Sequence, residues 1–412
     1  METPLGTGII VSPTLAHTTK GAKSVPQSKF KSTRALPSKP LFFLGEGNNC
    51  ELIQAIMEEM GWERSENRER FKLKWVQVKS SITFKEFKEG IQIVNHFPNM
   101  ELIGNKRNLA ESLREYSRIQ FRFNPTKPIT LNEFLPETFI LDSPREKEEF
   151  LKTIHSEGSM WICKPTHRNQ GQGIFLIRGP SEVESKLATP QPQTNTYKGV
   201  RKLVQRYIMN PLLLEDRKFD IRVYMLIIAA KPYLVFYHSG YIRLSCVPFV
   251  LENEDMHTHL TNQFIQKQHP SYQEVKETTV WSFEKFQQYI DEFYTEAKQL
   301  PPRWVFTTMT KKIQVIMQIC FSSIMRKLHH RIGYFELLGF DFMVDTDFKV
   351  WLIEVNVNPA LHTNCSDLLD VIPNIVRNSI ILSLEVFDKC IKHKPILPLN
   401  LKSPFIPIYK GR

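Results

Sequence analysis

Three side chains with hard oxygen atoms, Asp341, Glu354 and Asn356, lie in two neighbouring apolar runs of the sequence. The runs belong to the stretch 335–359, FELLGFDFMVDTDFKVWLIEVNVNP, and flank a turn-like DTD sequence, a pattern that predicts a β-hairpin. Mg²⁺ prefers oxygen ligands and takes one or two carboxylates from a protein, with substrate phosphates among the remaining ligands. The three side chains are therefore a candidate magnesium site.

Side-chain alternation along the hairpin decides whether these three residues can meet. In the first run Asp341 points away from the face that carries the aromatic side chains. In the second run alternation places Leu352 on the same face as Glu354 and Asn356. The opposite face of the second run is expected to carry Trp351, Ile353 and Val355. The oxygen-bearing side chains then converge on one side of the ribbon; a surface hairpin whose polar face only meets water is the alternative.

A lysine and a glycine-bearing loop form a second candidate site. The sequence WICKP at 161–165 is followed by THRNQGQG and then by IFLI at 174–177, which predicts a strand, a loop and a strand. Backbone N–H groups of such a loop can surround a phosphate, and Lys164 would add a fixed positive charge. A P-loop would instead end in Gly-Lys-Ser or Gly-Lys-Thr at the start of a helix, and that pattern is absent. An ordinary hairpin with a long loop remains the alternative.

Charged side chains alternate with apolar ones along the segment RKFDIRVY at 217–224. Lys218, Asp220 and Arg222 share one face of this predicted strand, and the apolar residues share the other. A solvated sheet face is the alternative for this pattern. Further on, His257 and His259 have the HxH spacing of some zinc sites, but no third or fourth ligand is evident nearby, so zinc binding is rejected.

Local signals predict the elements that carry these residues. An apolar run at 41–44, the turn GEGNN and apolar residues at helical spacing predict a strand–turn–helix unit in which Asn49 caps the helix. Polar residues with two prolines at 181–199 predict a flexible insertion or the end of the central subdomain. A basic helix end at 326–331 is explained by the helix dipole or by contact with an acidic tail. Further elements are predicted at 143–154, 233–237, 241–245 and 372–391.

The hairpin sequences FELLGFDFMVD and WLIEVNVNPAL resemble the metal-binding signature of the tubulin–tyrosine-ligase-like family of ATP-grasp amino-acid ligases. The loop after Lys164 is similar to the KPxxxxxGxGI spacing of that family, and the resemblance covers about residues 41–392. It implies an α/β (α+β) fold of the ATP-grasp type with three subdomains. The expected segments are a disordered basic arm at 1–39, an N-terminal α/β subdomain at 40–103, a central subdomain at 104–201, a C-terminal subdomain with the metal hairpin at 202–393, and a tail at 394–412.

Most positions that match the family are expected at the nucleotide. Lys106, at a predicted helix start, would reach toward the phosphates of ATP, and Lys164 would lie at the nucleotide with Gln170 and Gly171. The QxYI segment would lie along the adenine and consists of Gln205, Arg206, Tyr207 and Ile208. Four further residues complete the nucleotide site that the resemblance implies, namely Lys218, Asp220, Thr261 and Asn262.

The resemblance also implies the residues at the reacting groups. Arg222 would face the reacting carboxylate, and Arg243 would hold the incoming amino acid through two parallel hydrogen bonds. Asp341, Glu354 and Asn356 would hold Mg²⁺, for which Mn²⁺ is a substitute. The implied reaction is phosphorylation of an acceptor carboxylate by ATP to an acyl phosphate, followed by attack of an amino acid's amine and release of phosphate.

The sequence LIEVNVNPALHTNC is most similar to the polyglycine-elongating branch of the family. The glutamate-adding branch carries a lysine after the metal motif, but the segment from Val355 to Val376 contains no Lys or Arg. A pocket without that cation suits free glycine, which has no second carboxylate. The resemblance thus implies elongation of glycine side chains on the acidic tails of tubulin and microtubules, or on other acidic proteins. Glutamate or tyrosine ligation and a catalytically silent microtubule-binding module are the alternatives.

Composition bounds the wider class of protein. The six cysteines are scattered without a CxxC pair, which fits reduced thiols in the cytosol better than a disulfide framework. The net charge of +11 favours acidic partners, and no nucleic-acid-binding signature accompanies it. No apolar run reaches the roughly 18 residues of a membrane span, and no secretory signal is evident. We expect a cytoplasmic monomer, placed at the cytoskeleton and the cilium or axoneme by the family resemblance.

Overall fold

Strands in three β-sheets and eleven α-helices form the part of the chain that the structure describes. The structure is a computed structural model and describes residues 39–155, 159–166, 171–187 and 201–411. The arm predicted at 1–39 lies outside these residues apart from Lys39. The mixed α/β class predicted from the sequence is confirmed.

The N-terminal sheet is parallel and holds the predicted strand–turn–helix unit. Its strands lie in the order Glu63–Arg64, Leu41–Leu44, Leu73–Trp75 and Ile93–Val94. The helix Cys50–Glu59 follows the turn, as predicted, but the expected cap is wrong. Asn49 occupies the N-cap position in a left-handed conformation, and its side chain donates to the carbonyl oxygen of Leu361 at 2.9 Å instead of accepting from the helix.

The central sheet is antiparallel and contains the metal hairpin that the sequence predicts. Its main path is Val280–Trp281, Leu234–Leu244, Arg217–Ile228, Phe335–Val344 and Val350–Asn356. The two strands predicted at 233–237 and 241–245 form one continuous strand. Where the pairing register shifts, a Cβ on Gly240 would stand 2.2 Å from the Arg222 carbonyl oxygen, so only glycine fits there.

The C-terminal segment adds an edge to this sheet. Ile406–Lys410, within the predicted tail, pairs with Leu234–Tyr237 of the long central strand. The sequence did not predict this strand, because the segment is rich in Pro and Lys, which are uncommon in paired strands. A short strand, Leu213–Leu214, pairs with the start of Arg217–Ile228 on the other part of the sheet.

The third sheet, here called the side sheet, is antiparallel and carries the lysine of the glycine-bearing loop. Its order is Thr138–Ile140, Lys202–Arg206, Trp161–Pro165 and Phe175–Ile177. The sheet therefore continues past residue 201, where the sequence places the end of the central subdomain.

The insertion predicted at 181–199 is wrong for its first part: a helix forms at 181–187, and Val183 is buried. The remainder of that segment, 188–199, lies outside the described residues.

Helices cover both faces of the central sheet. Alternate residues of the strand Arg217–Ile228 enter two separate apolar cores, one on each face. The helices Lys106–Phe123, Phe283–Phe293 and Thr310–Ile324 pack on one face, and Cys50–Glu59 and Ser366–Ile391 pack on the other. Ser366–Ile391 begins earlier than the predicted start at 372 and contains Pro373.

The other helices are Glu101–Gly104, Pro144–Thr153, Ser181–Leu187, Met256–His259, Gln263–Gln266 and Tyr272–Val275. In the described part of the chain, none of the helices has the length and apolar character required to cross a membrane.

A buried ion pair joins the loop after the N-terminal sheet to the central sheet. His96 Nδ1 lies 2.7 Å from the Glu336 carboxylate, and His96 Nε2 lies 2.9 Å from the Val76 carbonyl oxygen. Both ring nitrogens face acceptors, which favours the imidazolium. Burial by itself lowers the pKa of His96, but Glu336 and backbone carbonyls outweigh it, so the pKa is raised above 6.5. This ion pair, whose two side chains are buried, links the loop after the N-terminal sheet to the central sheet.

Replacing His96 with glutamine is expected to lower the free energy of unfolding by about 3 kcal/mol, because the Glu336 carboxylate loses its buried counter-charge. A raised folded-state pKa stabilises the fold fully below the unfolded pKa, and this stabilisation is lost as the pH rises through the folded value. The difference between His96→Gln and wild type should thus shrink in urea titrations as the pH rises above 6.5. Glu148→Gln, which breaks an ion pair with side chains 68% and 74% exposed, is the control and should leave the free energy of unfolding close to that of wild type. A loss as small as in the control would contradict the assignment.

Candidate active site

A cleft between the side sheet and the central sheet brings the predicted residues together. It holds about 830 Å³ of empty space, open solvent included. Gln170 lies outside the described residues, and Arg222 and Asn356 reach the cleft through contacts with Asp341. The other predicted residues line it: Lys106, Lys164, Gly171, Gln205, Arg206, Tyr207, Ile208, Lys218, Asp220, Arg243, Thr261, Asn262, Asp341 and Glu354.

Two arginines and two aspartates form a buried charge cluster on the floor of the cleft. Arg222 donates to both carboxylate oxygens of Asp341, from Nη2 at 3.0 Å and also from Nε. Arg243 holds Asp220 through Nε at 2.6 Å and Nη2 at 2.7 Å, and its Nη2 lies 2.9 Å from Asp341. Thr261 donates its hydroxyl to Asp220. Each guanidinium keeps Nη1 without a protein acceptor among the described residues, so each retains donors for a substrate carboxylate.

The two aspartates of the cluster have opposite pKa shifts. Burial by itself raises the pKa of Asp341, but Arg222 and Arg243 outweigh it and hold the pKa well below its ordinary value. Burial raises the pKa of Asp220, and the neighbouring Asp341 adds to this despite the contact with Arg243. Asp341 is therefore the firmly ionised member of the pair, as a metal ligand must be.

The candidate metal ligands meet on the hairpin. Asp341 and Glu354 are directly paired across the two strands. Asn356 Nδ2 lies 3.2 Å from Asp341 Oδ2 and 3.3 Å from Glu354 Oε1. Two carboxylates and one amide fit a hard cation, provided that the amide turns to present its oxygen. In the described residues no three His, Cys, Asp or Glu side chains form a metal-binding group, and His257 and His259 bond to Asp255 and Tyr207 instead of converging.

Two predicted side-chain directions on the hairpin, those of Leu352 and Ile353, are wrong. The register shifts between Asp341 and Phe342, so that Phe342 pairs with Leu352 and Asp341 pairs with Glu354. Ile353 is the extra residue of this bulge and lines the cleft, whereas Leu352 is fully buried in the core on the other face. The bulge reverses the alternation between Leu352 and Glu354 and turns the carboxylate toward the cleft.

Three lysines face these carboxylates. Lys106 Nζ lies 3.1 Å from Glu354. Lys164 Nζ donates to Gln205 Oε1 at 2.7 Å, and burial lowers its pKa to about 8 although Glu354 acts in the opposite direction. Lys218 Nζ donates to Tyr207 Oη at 2.7 Å; burial, assisted by the charge of Lys164, lowers its pKa to about 7. The cleft thus places lysine ammonium groups beside two carboxylates and an amide, an arrangement suited to phosphate oxygens and a divalent cation.

Apolar side chains complete the walls of the cleft, and the sequence analysis did not identify them. They are Ile162, Ile174, Leu260, Met343 and Ile353. Ile162 and Met343 stand two residues from Lys164 and Asp341 on the same strands, so alternation was the signal that could have found them. Gly171 has a φ of +73°, and a Cβ there would stand 2.8 Å from the Ile265 side chain. Gly171 therefore packs directly against apolar side chains at the cleft wall, where a larger residue would collide.

The turn GEGNN of the N-terminal sheet holds the loop that follows the hairpin. Asn48 Nδ2 donates to Asn358 Oδ1 at 2.8 Å and to the Pro359 carbonyl oxygen at 2.9 Å. The backbone N–H of Leu361 donates back to Asn48 Oδ1 at 2.9 Å. Asn48 has a φ of +46°, which asparagine tolerates better than most residues. These contacts fix the chain immediately after Asn356.

Comparisons with known proteins show which family the chain is similar to. The profile of the Tubulin-tyrosine ligase family matches residues 84–393. Protein polyglycylase TTLL10 of Rattus norvegicus is 42% identical over 387 residues, which cover 90% of this chain and 57% of the relative. Inactive polyglycylase TTLL10 of Homo sapiens is 38% identical over 413 residues, covering 90% and 61%. Probable tubulin polyglutamylase TTLL2 of Mus musculus is 30% identical over 364 residues, covering 83% and 62%.

The chain spans less than two thirds of the length of each of these three relatives. The family profile matches well over half of the chain and includes both hairpin strands, the side sheet and the long central strands. The chain therefore belongs to the tubulin-tyrosine ligase family, and its mixed α/β architecture is the ATP-grasp-like fold of that family.

Proposed function

We propose that the protein is an ATP-dependent ligase that adds glycine to glycine side chains on tubulin tails. The observation that carries the proposal is the meeting of Asp341, Glu354 and Asn356 with Arg222 and Arg243 in one buried cluster. Such a ligase needs a divalent-cation site beside groups that bind carboxylates, and this cluster supplies both. The relatives named polyglycylase support glycine as the amino acid. We place the enzyme, as a monomer, at the cytoskeleton, including the cilium.

The proposed division of labour follows from the contacts. Lys106, Lys164 and Lys218 would hold the phosphates of ATP, and the apolar walls would hold the adenine. Mg²⁺ or Mn²⁺ bound by Asp341, Glu354 and Asn356, here called the oxygen trio, would neutralise charge on the transferring phosphoryl group. The unused Nη1 group of Arg222 would orient the acceptor carboxylate, and that of Arg243 would hold the carboxylate of the incoming amino acid. Both arginines would stabilise the tetrahedral oxyanion.

The bonds change in two steps in this proposal. An oxygen of the acceptor carboxylate attacks the γ-phosphorus of ATP, ADP leaves, and the carboxylate becomes an acyl phosphate. The amine of free glycine then attacks the carbonyl carbon, phosphate leaves, and the amine loses a proton as the amide forms. Asp341, Arg222 and Arg243 are all more than nine-tenths buried, so the floor of the cleft has little contact with solvent where the acyl phosphate would form.

Glutamate is a second candidate amino acid on one observation. No Lys or Arg occurs in the segment from Val355 to Val376. Lys267, outside this segment, is nevertheless close enough to act on His362 within it: burial lowers the pKa of His362, and the positive charge of Lys267 lowers it further. A cation contributed from another helix end could hold the second carboxylate of glutamate. Glycine remains the better supported choice, because the relatives of 42% identity are named polyglycylases.

The test is a ligation assay with ATP, Mg²⁺ and tubulin, offering labelled glycine, glutamate and tyrosine separately on bare and pre-glycylated tubulin. We expect glycine addition on pre-glycylated tails only, read by mass spectrometry. Glutamate addition that disappears in Lys267→Ala would replace glycine by the second candidate. Binding of ATP without addition of any amino acid would overturn the ligase proposal and favour a silent binding module, the state suggested by the name of the human relative.

Proton uptake on ATP binding is a further expected result. Because the pKa values of Lys164 and Lys218 are lowered to about 8 and about 7, part of each ammonium is neutral in the free protein near about pH 7.5. A bound triphosphate stabilises the charged forms, so binding takes up protons and the affinity falls as the pH rises. Calorimetry in buffers of different ionisation enthalpy measures this uptake. Lys218→Met should reduce the uptake and Lys402→Met, on the exposed C-terminal segment, should not; equal uptake in both variants would contradict the assignment.

A further inference from the structure

A second groove lies on the opposite side of the hairpin from the cleft. One wall is the segment 128–134, the other is the helix Thr310–Ile324, and the tip of the hairpin closes one end at Lys349 and Val350. It holds about 1800 Å³ of empty space, open solvent included, about twice as much as the cleft. None of the residues predicted for the reaction lines this groove.

The groove combines an apolar floor with a basic rim. Val315 is 46% exposed in it, beside Ile129, Ile316 and Ile319, although a valine on a helix gains most by burial. Three lysines border the groove, against one acidic residue, Glu133. Apolar surface that is left open and rimmed by polar groups is a feature of protein interaction sites.

Two of the rim lysines are available for a partner. Lys311 and Lys312 are exposed and form no ion pair within the part of the chain that the structure describes. The third, Lys349, donates to the Asn132 carbonyl oxygen at 2.8 Å and packs on Trp351, so its charge is fixed in place. Among the described residues no carboxylate pairs with these two lysines, so the rim carries an excess of positive charge that is complementary to an acidic segment.

The wall of the groove also has an uncommon backbone. A π-helical turn, Val305–Met309, leads into the helix Thr310–Ile324, and its Thr307 and Thr308 line the groove. Turns of this kind occur often at functional sites. Residues 308, 311, 312, 315, 316 and 319 of the continuous helix all face the groove, which is the spacing of a single helix face.

The hairpin connects the groove to the cleft at a distance that one protein substrate can span. Val350, at the groove, precedes Glu354, at the cleft, by four residues of one strand, or about 13 Å. A protein that presents its tail to Glu354 therefore brings its folded body close to the groove. We propose that the groove binds an acidic segment with apolar side chains on the body of the protein substrate, outside the tail that is modified. This inference rests on the proposed function for the identity of that substrate.

The experiment compares wild type with Lys311→Glu/Lys312→Glu on three probes: intact tubulin, tubulin from which the acidic tails have been removed, and a short synthetic glycylated tail peptide. We expect the double variant to raise Kd for tailless tubulin and KM for ligation on intact tubulin about tenfold. KM and kcat on the short peptide should stay unchanged. Val315→Glu, which charges the floor, should give the same pattern.

Lys394→Glu/Lys402→Glu is the matched control, with the same charge change at two exposed lysines outside the groove, and should leave all three probes unaffected. Equal KM on tubulin for wild type and the Lys311/Lys312 variant, or no binding of tailless tubulin by wild type, would overturn the inference and leave the proposed ligase intact. Binding of tailless tubulin that the groove variant weakens, without ligation by wild type, would uphold the docking site and refute the ligase.

Discussion

Replacing Glu354 with glutamine is expected to lower the rate of ligation by roughly 100- to 1000-fold. The amide keeps the size of the side chain but removes the charge that Lys106 contacts at 3.1 Å and that Asn356 contacts at 3.3 Å. Burial by itself raises the pKa of Glu354, but Lys106 outweighs it and the pKa is lowered, so the side chain is a carboxylate in the resting protein. A single-turnover assay with saturating ATP and glycine on pre-glycylated tubulin measures the loss.

The control for this variant lies on the same hairpin. Asp347→Asn makes the same chemical change in the exposed turn and should leave the rate within about twofold. Microtubule co-sedimentation should be unchanged in both variants, because neither side chain lines the groove. If the Mg²⁺ dependence of Glu354→Gln equalled that of wild type, the oxygen trio would not be the metal site.

The hairpin shows how far the sequence predicts the site. Asp341, Glu354 and Asn356 were expected to converge, and the structure places them in mutual contact. The alternation that led to this expectation fails within the strand, because the bulge turns Leu352 into the core. A bulge depends on which residue each strand finds opposite it, and a single strand's sequence does not contain that information.

Contacts between residues far apart in the sequence could not be predicted either. Asn48 is typical of a turn, and nothing within the turn indicates that its side chain binds the chain 310 residues later. The strand Ile406–Lys410 depends in the same way on the free edge of Leu234–Leu244. By contrast, the alternation of Lys218, Asp220 and Arg222 with apolar residues is local, and the structure shows the expected two faces.

Replacing Asp341 with asparagine is expected to lower the free energy of unfolding by about 4 kcal/mol, beyond its effect on catalysis. The change leaves Arg222 without its carboxylate and removes one of the two carboxylates around Arg243, while both guanidiniums stay more than 90% buried. Chemical denaturation at neutral pH measures the loss. Asp220→Asn is the matched control in the same cluster, because burial and the neighbouring Asp341 raise the pKa of Asp220, so less stability depends on its ionisation.

The pH dependence separates the two aspartates. A depressed folded-state pKa stabilises the fold above the unfolded value, and this stabilisation is lost as the pH falls through the folded value. The difference between wild type and Asp341→Asn should therefore stay constant from neutral pH down to about pH 4 and shrink only below it. Asp220→Asn should cost only about 1 kcal/mol at neutral pH, since a neutral amide replaces a group whose charge is costly to bury. Equal losses of unfolding free energy in Asp341→Asn and Asp220→Asn would mean that the arginines stabilise the two carboxylates equally. The assignment of Asp341 as the ionised ligand would then be contradicted.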